Sequence, residues 1–144
     1  MEDEEHTIWA ITEKGVFRYN EKEDKFTLVR DKDNNPVIAS SLCLWEDGVI
    51  FGGRGSLYKY NYEDHIINLF HTLKPNGKYH ISNLYQWDSR TLLATNRWAK
   101  ALFIDIATGN TRPVPFNSEQ IISLLIDKKR ECMGSSLQSG SKLL

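Results

Sequence analysis

Apolar positions along the chain fall in short runs, many alternating with polar ones, and turn residues separate the runs. Ile8-Trp9-Ala10-Ile11-Thr12 is followed by Gly15-Val16-Phe17-Arg18-Tyr19-Asn20. About forty residues on, the same phrase returns as Val49-Ile50-Phe51-Gly52-Gly53 and Ser56-Leu57-Tyr58-Lys59-Tyr60-Asn61. It returns again as Leu92-Leu93-Ala94-Thr95-Asn96 and Ala101-Leu102-Phe103-Ile104-Asp105, with extra residues between the halves. A second register agrees: Ser40-Ser41-Leu42-Cys43-Leu44-Trp45-Glu46-Asp47 matches Ser82-Asn83-Leu84-Tyr85-Gln86-Trp87-Asp88. Ile121-Ile122-Ser123-Leu124-Leu125-Ile126-Asp127 opens a fourth copy, and Glu131 to Ser135 continues it.

Each copy reads as four strands, a to d, rich in β-branched and aromatic residues and bounded by turn chemistry. In the second copy these are expected at 40–45, 48–53, 56–61 and 65–70, with turns at Glu46-Asp47-Gly48, Arg54-Gly55 and Tyr62-Glu63-Asp64. No useful window spaces its apolar residues by three and four, so no helix is expected. Four antiparallel strands per repeat of this length describe a propeller blade. A two-sheet sandwich also has short strands, but nothing in it requires one phrase to recur. The expected fold is all-β: a β-propeller fragment of about three four-stranded antiparallel blades plus a partial blade. Its blades are expected at 6–37 (partial), 38–73, 80–115 and 120–144 (partial). Rings close with about 4–8 blades. The chain is therefore expected to be an incomplete ring, with a poorly packed tail from Ser135 to Leu144.

The repeated phrase is specific. A strand ends in Asp or Glu and a turn; an apolar strand follows, ending in small residues. Then come Gly or Ser, Leu or Val, an aromatic, a basic residue, Tyr and Asn. This resembles the two-component regulator propeller repeat, best from Trp45 to Asn61 and nearly as well through Gly15 to Asn20. The third copy departs, with Arg97-Trp98-Ala99-Lys100 inserted and Ile104-Asp105 in place of the Tyr-Asn ending. The resemblance implies the periplasmic, ligand-sensing half of a membrane-anchored, homodimeric hybrid sensor kinase, often glycan-responsive. It implies a non-catalytic segment whose partners are the remaining blades and an oligosaccharide ligand. Two other readings stay open: a scaffold for protein docking, and a piece of a propeller-fold carbohydrate enzyme.

Antiparallel order decides which loops share a face. The b–c turns and the d–a connections lie on one side, and the a–b and c–d turns on the other. The first side collects Glu13-Lys14, Arg54, Asn96 to Lys100, and the longer connections 31–37, 71–80 and 113–119. Binding residues concentrate on long loops held by a rigid scaffold, so this is the better candidate face. Its expected ligand-binding residues are Arg54, His80, Arg97, Trp98 and Lys100. An exposed aromatic beside cations suits a sugar or a carboxylate: the ring stacks on an apolar sugar face and the guanidinium forks onto oxygen. The competing reading of Trp98 is packing against the next blade. Trp45, Trp87, Tyr19, Tyr58 and Tyr60 recur between copies, and recurrence argues for structural roles.

Other candidate chemistry falls away on inspection. Asp31-Lys32-Asp33-Asn34-Asn35 imitates the start of a calcium loop, but Pro36 and Leu42 stand where such a loop needs Gly and Glu. Gly52-Gly53-Arg54-Gly55 joins two strands, whereas a phosphate cradle opens a helix. His6, His65, His71 and His80 lack metal spacing and read as exposed loop histidines. No nucleophile-elbow context accompanies any Ser, His and Asp. No catalytic residue, metal or cofactor is expected.

Bulk properties add little. Of 144 residues, 40% are hydrophobic and 26% charged, the balance of a folded chain. The formal net charge of -1 includes four acids at Glu2 to Glu5, and nothing resembles the basic stripe that nucleic acid requires. No apolar run approaches the roughly 20 residues of a membrane helix, and no basic-then-apolar leader opens the chain. Read as a whole gene product, this places it in the cytosol; read as part of a longer sensor, it is periplasmic. Cys43 and Cys132 lack CxxC spacing and are expected to be buried, unpaired thiols.

Overall fold

The computed structural model describes residues 1–74 and 77–115, together with the backbone of two strands at 121–126 and 132–136. The first sheet contains β1 (Trp9–Thr12), β2 (Gly15–Asn20) and β3 (Lys25–Leu28). The second contains β4 (Ser41–Trp45), β5 (Gly48–Gly52), β6 (Ser56–Asn61) and β7 (Ile67–Thr72). The third contains β8 (Asn83–Gln86), β9 (Thr91–Thr95), β10 (Leu102–Asp105) and β11 (Thr111–Pro113). A fourth pair is β12 (Ile121–Ile126) and β13 (Cys132–Ser136). Every sheet is an antiparallel meander in sequence order. The architecture is that of propeller blades, and the first sheet supplies strands b, c and d. The tail beyond Ser136 lies outside the described residues.

Packing between sheets explains the run of apolar residues in strand b. Val49 and Phe51 of β5 join Trp9, Val16, Val37, Tyr60 and Ile67 in a core against the first sheet. Ile50 points the other way, into a core with Trp45, Leu84, Leu92 and Ile104 against the third sheet. A strand covered on both faces must be apolar at every position, so all five residues of β5 are buried. β9 repeats this: Leu92 and Ala94 face the second sheet, while Leu93 packs with Phe103 and Val114. β4 packs against β8. The strand-a edges therefore converge, as they do around a propeller axis.

Trp45 is buried between the second and third sheets. Trp87 is half-buried against Phe103 of its own sheet, with ring centroids 5.1 Å apart. Tyr60 lies in the core, and Tyr19 packs on Phe26.

Two expectations need correction. Strand d of the second sheet begins at Ile67 and ends at Thr72, two residues later than 65–70. The turn before it is longer because Asp64 Oδ1 accepts from Ile66 N–H, and His65 sits at φ 59° with its N–H on Asn61 O. In consequence His71 is a strand residue and not an exposed loop histidine. Its ring N–H donates to Ile106 O at 2.7 Å.

Cys43 is a free, buried thiol, and burial pushes its pKa up to about 11. A folded pKa above the ordinary value of about 8.5 stabilises the fold fully only below that pH. The contribution is lost as pH rises towards about 11. Burial raises the Tyr60 and Tyr62 hydroxyls in the same direction. The melting midpoint should fall on the alkaline side of about pH 9, and Cys43→Ala should flatten part of that fall. An alkaline limb unchanged by the substitution would contradict the assignment.

Candidate functional site

Local chemistry builds the b–c/d–a face in three similar steps. In the first sheet the d–a connection returns so that Val16 N–H donates to Val37 O, and Val37 N–H to Val29 O. In the second, Gly55 N–H donates to Tyr79 O at 2.7 Å, and Leu73 N–H to Gly55 O at 2.9 Å. In the third, Val114 N–H donates to Ala101 O at 2.9 Å. Each b–c turn is thus stitched to the connection that leaves its own sheet. The expected sharing of a face holds.

The turn after β5 is tight because its glycines permit backbone approach. Gly53 N–H donates to Ser56 O at 3.1 Å. A Cβ on Gly53 would lie 2.8 Å from Ile38 O. Arg54, exposed between them, forms an isolated antiparallel bridge with His80. The loop after β9 is longer and is held at both ends. Asn96 is buried; its Oδ1 accepts from Trp98 N–H at 2.7 Å, and its Nδ2 donates to His80 O. At the far end the Tyr79 hydroxyl donates to Lys100 O at 2.8 Å. Burial raises the Tyr79 pKa far above the ordinary tyrosine range, so this donor stays protonated.

Between the two clamps stand the residues that face solvent. Trp98 is 74% exposed, the most exposed large hydrophobic side chain described. None of the described sheets covers it, and the blade that follows, against which the competing reading would pack it, lies almost wholly outside the described residues. The Arg97 guanidinium lies 5.7 Å from its ring centroid. Arg54, His80, Arg97, Trp98 and Lys100 are therefore brought onto one patch: Arg54 bridges His80, His80 accepts from Asn96, and Asn96 caps the loop. Chemically the patch offers a flat apolar ring, a planar guanidinium and further cations in water. That set can stack on a sugar ring and hold oxygen acceptors.

Asn96 and Tyr79 were not singled out from sequence as positioning residues. Asn two positions before Trp98, at a strand end, is the signal for a side chain that caps its own turn. Tyr79 gave no such signal, because its bond to Lys100 depends on how consecutive sheets stack. Removing the clamp should loosen the loop without unfolding the sheet. Asn96→Ala should cost about 1–2 kcal/mol and speed amide exchange at 97–100 selectively, read by hydrogen exchange.

The larger cavities lie elsewhere. An open groove of about 990 Å³ runs between the first and second sheets, lined by Trp9, Arg18, Tyr60 and His65 among others. Another, of about 560 Å³, lies beside Asp88, Arg90, Phe103 and Arg112. The first is the wedge left as neighbouring sheets diverge outward, and Arg18 already lies 5.9 Å from the rings of both Trp9 and Tyr60. The Asp31 loop is closed on itself, with Oδ1 accepting from Asp33 and Asn35 N–H. No cluster of three His, Cys, Asp or Glu side chains suited to a metal occurs among the described residues.

No family model matches the sequence, and no curated protein matches it. Solved structures do match in shape. The extracellular domain of a protein assigned as a hybrid two-component system from B. thetaiotaomicron aligns with a TM-score of 0.64 at 18% identity, covering 89% of this chain and 18% of that one. A second such domain from the same organism aligns with a TM-score of 0.68 at 15% identity, covering 93% of this chain and 21% of that one. The computationally designed Ika8 protein aligns with a TM-score of 0.61 at 10% identity, covering 90% of this chain and 40% of that one. At such identities the likeness establishes the propeller fold. The chain spans 18% to 21% of the length of the two bacterial domains.

Proposed function

We propose that this chain is a non-catalytic segment of the extracytoplasmic, ligand-sensing propeller of a hybrid two-component sensor, and that its b–c/d–a face contacts a saccharide. In the complete receptor, ligand on this face would favour one of two arrangements of a membrane-anchored homodimer, and the change would pass to a kinase. The observation that carries the reading is the exposed Trp98, presented beside Arg97 on a loop clamped by Asn96 and Tyr79. The likeness to extracellular sensor domains and the sequence resemblance to sensor propeller repeats point the same way.

The test is calorimetry with a panel of oligosaccharides, paired with a thermal melt. Trp98→Ala should weaken binding by about 1–3 kcal/mol, the range for losing one aromatic anchor. The melt should stay put, since the ring buries little. Unchanged affinity would reject the site.

A further inference from the structure

Charge is segregated between the two faces of the second and third sheets. On the b–c/d–a side, the described residues at 53–55, 77–81 and 96–100 include Arg54, Lys78, Arg97 and Lys100 and not one Asp or Glu. On the opposite side, the turns present Glu46, Asp47, Glu63, Asp64, Asp88 and Asp105, with Arg90 as a counter-charge. The described ion pairs are Lys59–Asp47, Lys25–Glu23, His6–Glu2 and His65–Glu5, and none involves Arg54, Arg97 or Lys100. Arg54 is tied to the loop that carries Arg97, Trp98 and Lys100 through His80 and Asn96. A patch of one sign concentrates anions from solution.

We propose that the saccharide taken on this face is acidic, bearing carboxylate or sulfate groups. This deepens the saccharide reading and rests on it. Trp98 would take the apolar face of one sugar ring. Arg97, 5.7 Å from the Trp98 ring centroid, would fork onto an acidic oxygen pair of the same or the next residue. Arg54 and Lys100 lie on either side and would receive further acidic groups along an extended oligosaccharide. A peptide of acidic residues could satisfy the cations but offers no apolar sugar face for Trp98 to stack on.

The experiment uses the full 144-residue chain and four ligands: a sulfated heparin tetrasaccharide, tetragalacturonate, neutral maltotetraose and hexaglutamate. At least one acidic saccharide should bind about tenfold more tightly than maltotetraose, and should weaken severalfold between about 50 and 300 mM NaCl. Arg97→Gln should weaken it about tenfold, as expected for a charge-assisted contact. Trp98→Ala should weaken it likewise, while Lys22→Gln on the opposite face should leave it unchanged. Maltotetraose binding as tightly as the acidic saccharides, and still depending on Trp98, would overturn the acidic assignment and leave the saccharide reading standing. Hexaglutamate binding as tightly as the saccharides would overturn the assignment in favour of an acidic peptide. Binding indifferent to Arg97→Gln and Trp98→Ala for every ligand would overturn both this proposal and the reading beneath it.

Discussion

Gly55→Ala should lower unfolding stability by about 3–4 kcal/mol, seen as a large drop in the urea midpoint. Gly55 sits at φ +70°, where a side chain costs about 1–2 kcal/mol through its own backbone. The neighbours add more. A Cβ there would lie 1.5 Å from Gly77 O and 2.3 Å from Gly77 C, and both of those are backbone atoms. The turn cannot step aside freely, because Gly55 N–H is bonded to Tyr79 O and Gly55 O to Leu73 N–H. The substitution therefore breaks the stitch between the b–c turn and the connection that carries His80. A change within about 1 kcal/mol would mean that the connection does not approach the turn as described.

Trp9→Ala should cost about 4–5 kcal/mol, the upper range for truncating a buried aromatic. Trp9 is only 2% exposed and anchors the first sheet to the second. Its ring meets Phe51 edge-on at 5.2 Å and Tyr60 at 4.9 Å. Its Nε1–H donates to Asp3 Oδ2 at 2.7 Å, and Asp3 is only 4% exposed. Truncation opens a cavity and also strips a donor from a buried carboxylate. Trp9→Phe separates the two effects: it keeps most of the packing and loses the hydrogen bond, and should cost about 1–3 kcal/mol. Equal losses for the two substitutions would contradict the cavity argument.

Much of this architecture was legible in the residue pattern, because a repeat states its strand boundaries several times over. β4, β5 and β6 fall within a residue of their expected limits, since Asp47-Gly48 and Arg54-Gly55 are unambiguous turns. β7 was displaced because Asp64 and His65 continue the turn through a side-chain bond and a left-handed residue. Asp3 reads in sequence as one acid in a solvated run. In the fold it is buried and accepts from Glu5 N–H, Thr7 N–H and the Trp9 indole. Only the chain reversal that brings these donors together could show that. The face of the candidate site followed from strand order alone, but its internal support did not. Asn96 and Tyr79 act through His80 and Lys100, partners set by the stacking of one blade on the next.

The most direct test of the ligand face is to follow the four tryptophan indole N–H signals by NMR during titration with the same tetrasaccharides. Trp9 and Trp45 are buried, Trp87 is half-buried, and Trp98 stands in solvent on the b–c/d–a face. The Trp98 signal should shift progressively and saturate, while those of Trp9 and Trp45 stay in place. A saturating shift at Trp9, on the groove between the first two sheets, with Trp98 unmoved would contradict the account and put the ligand elsewhere.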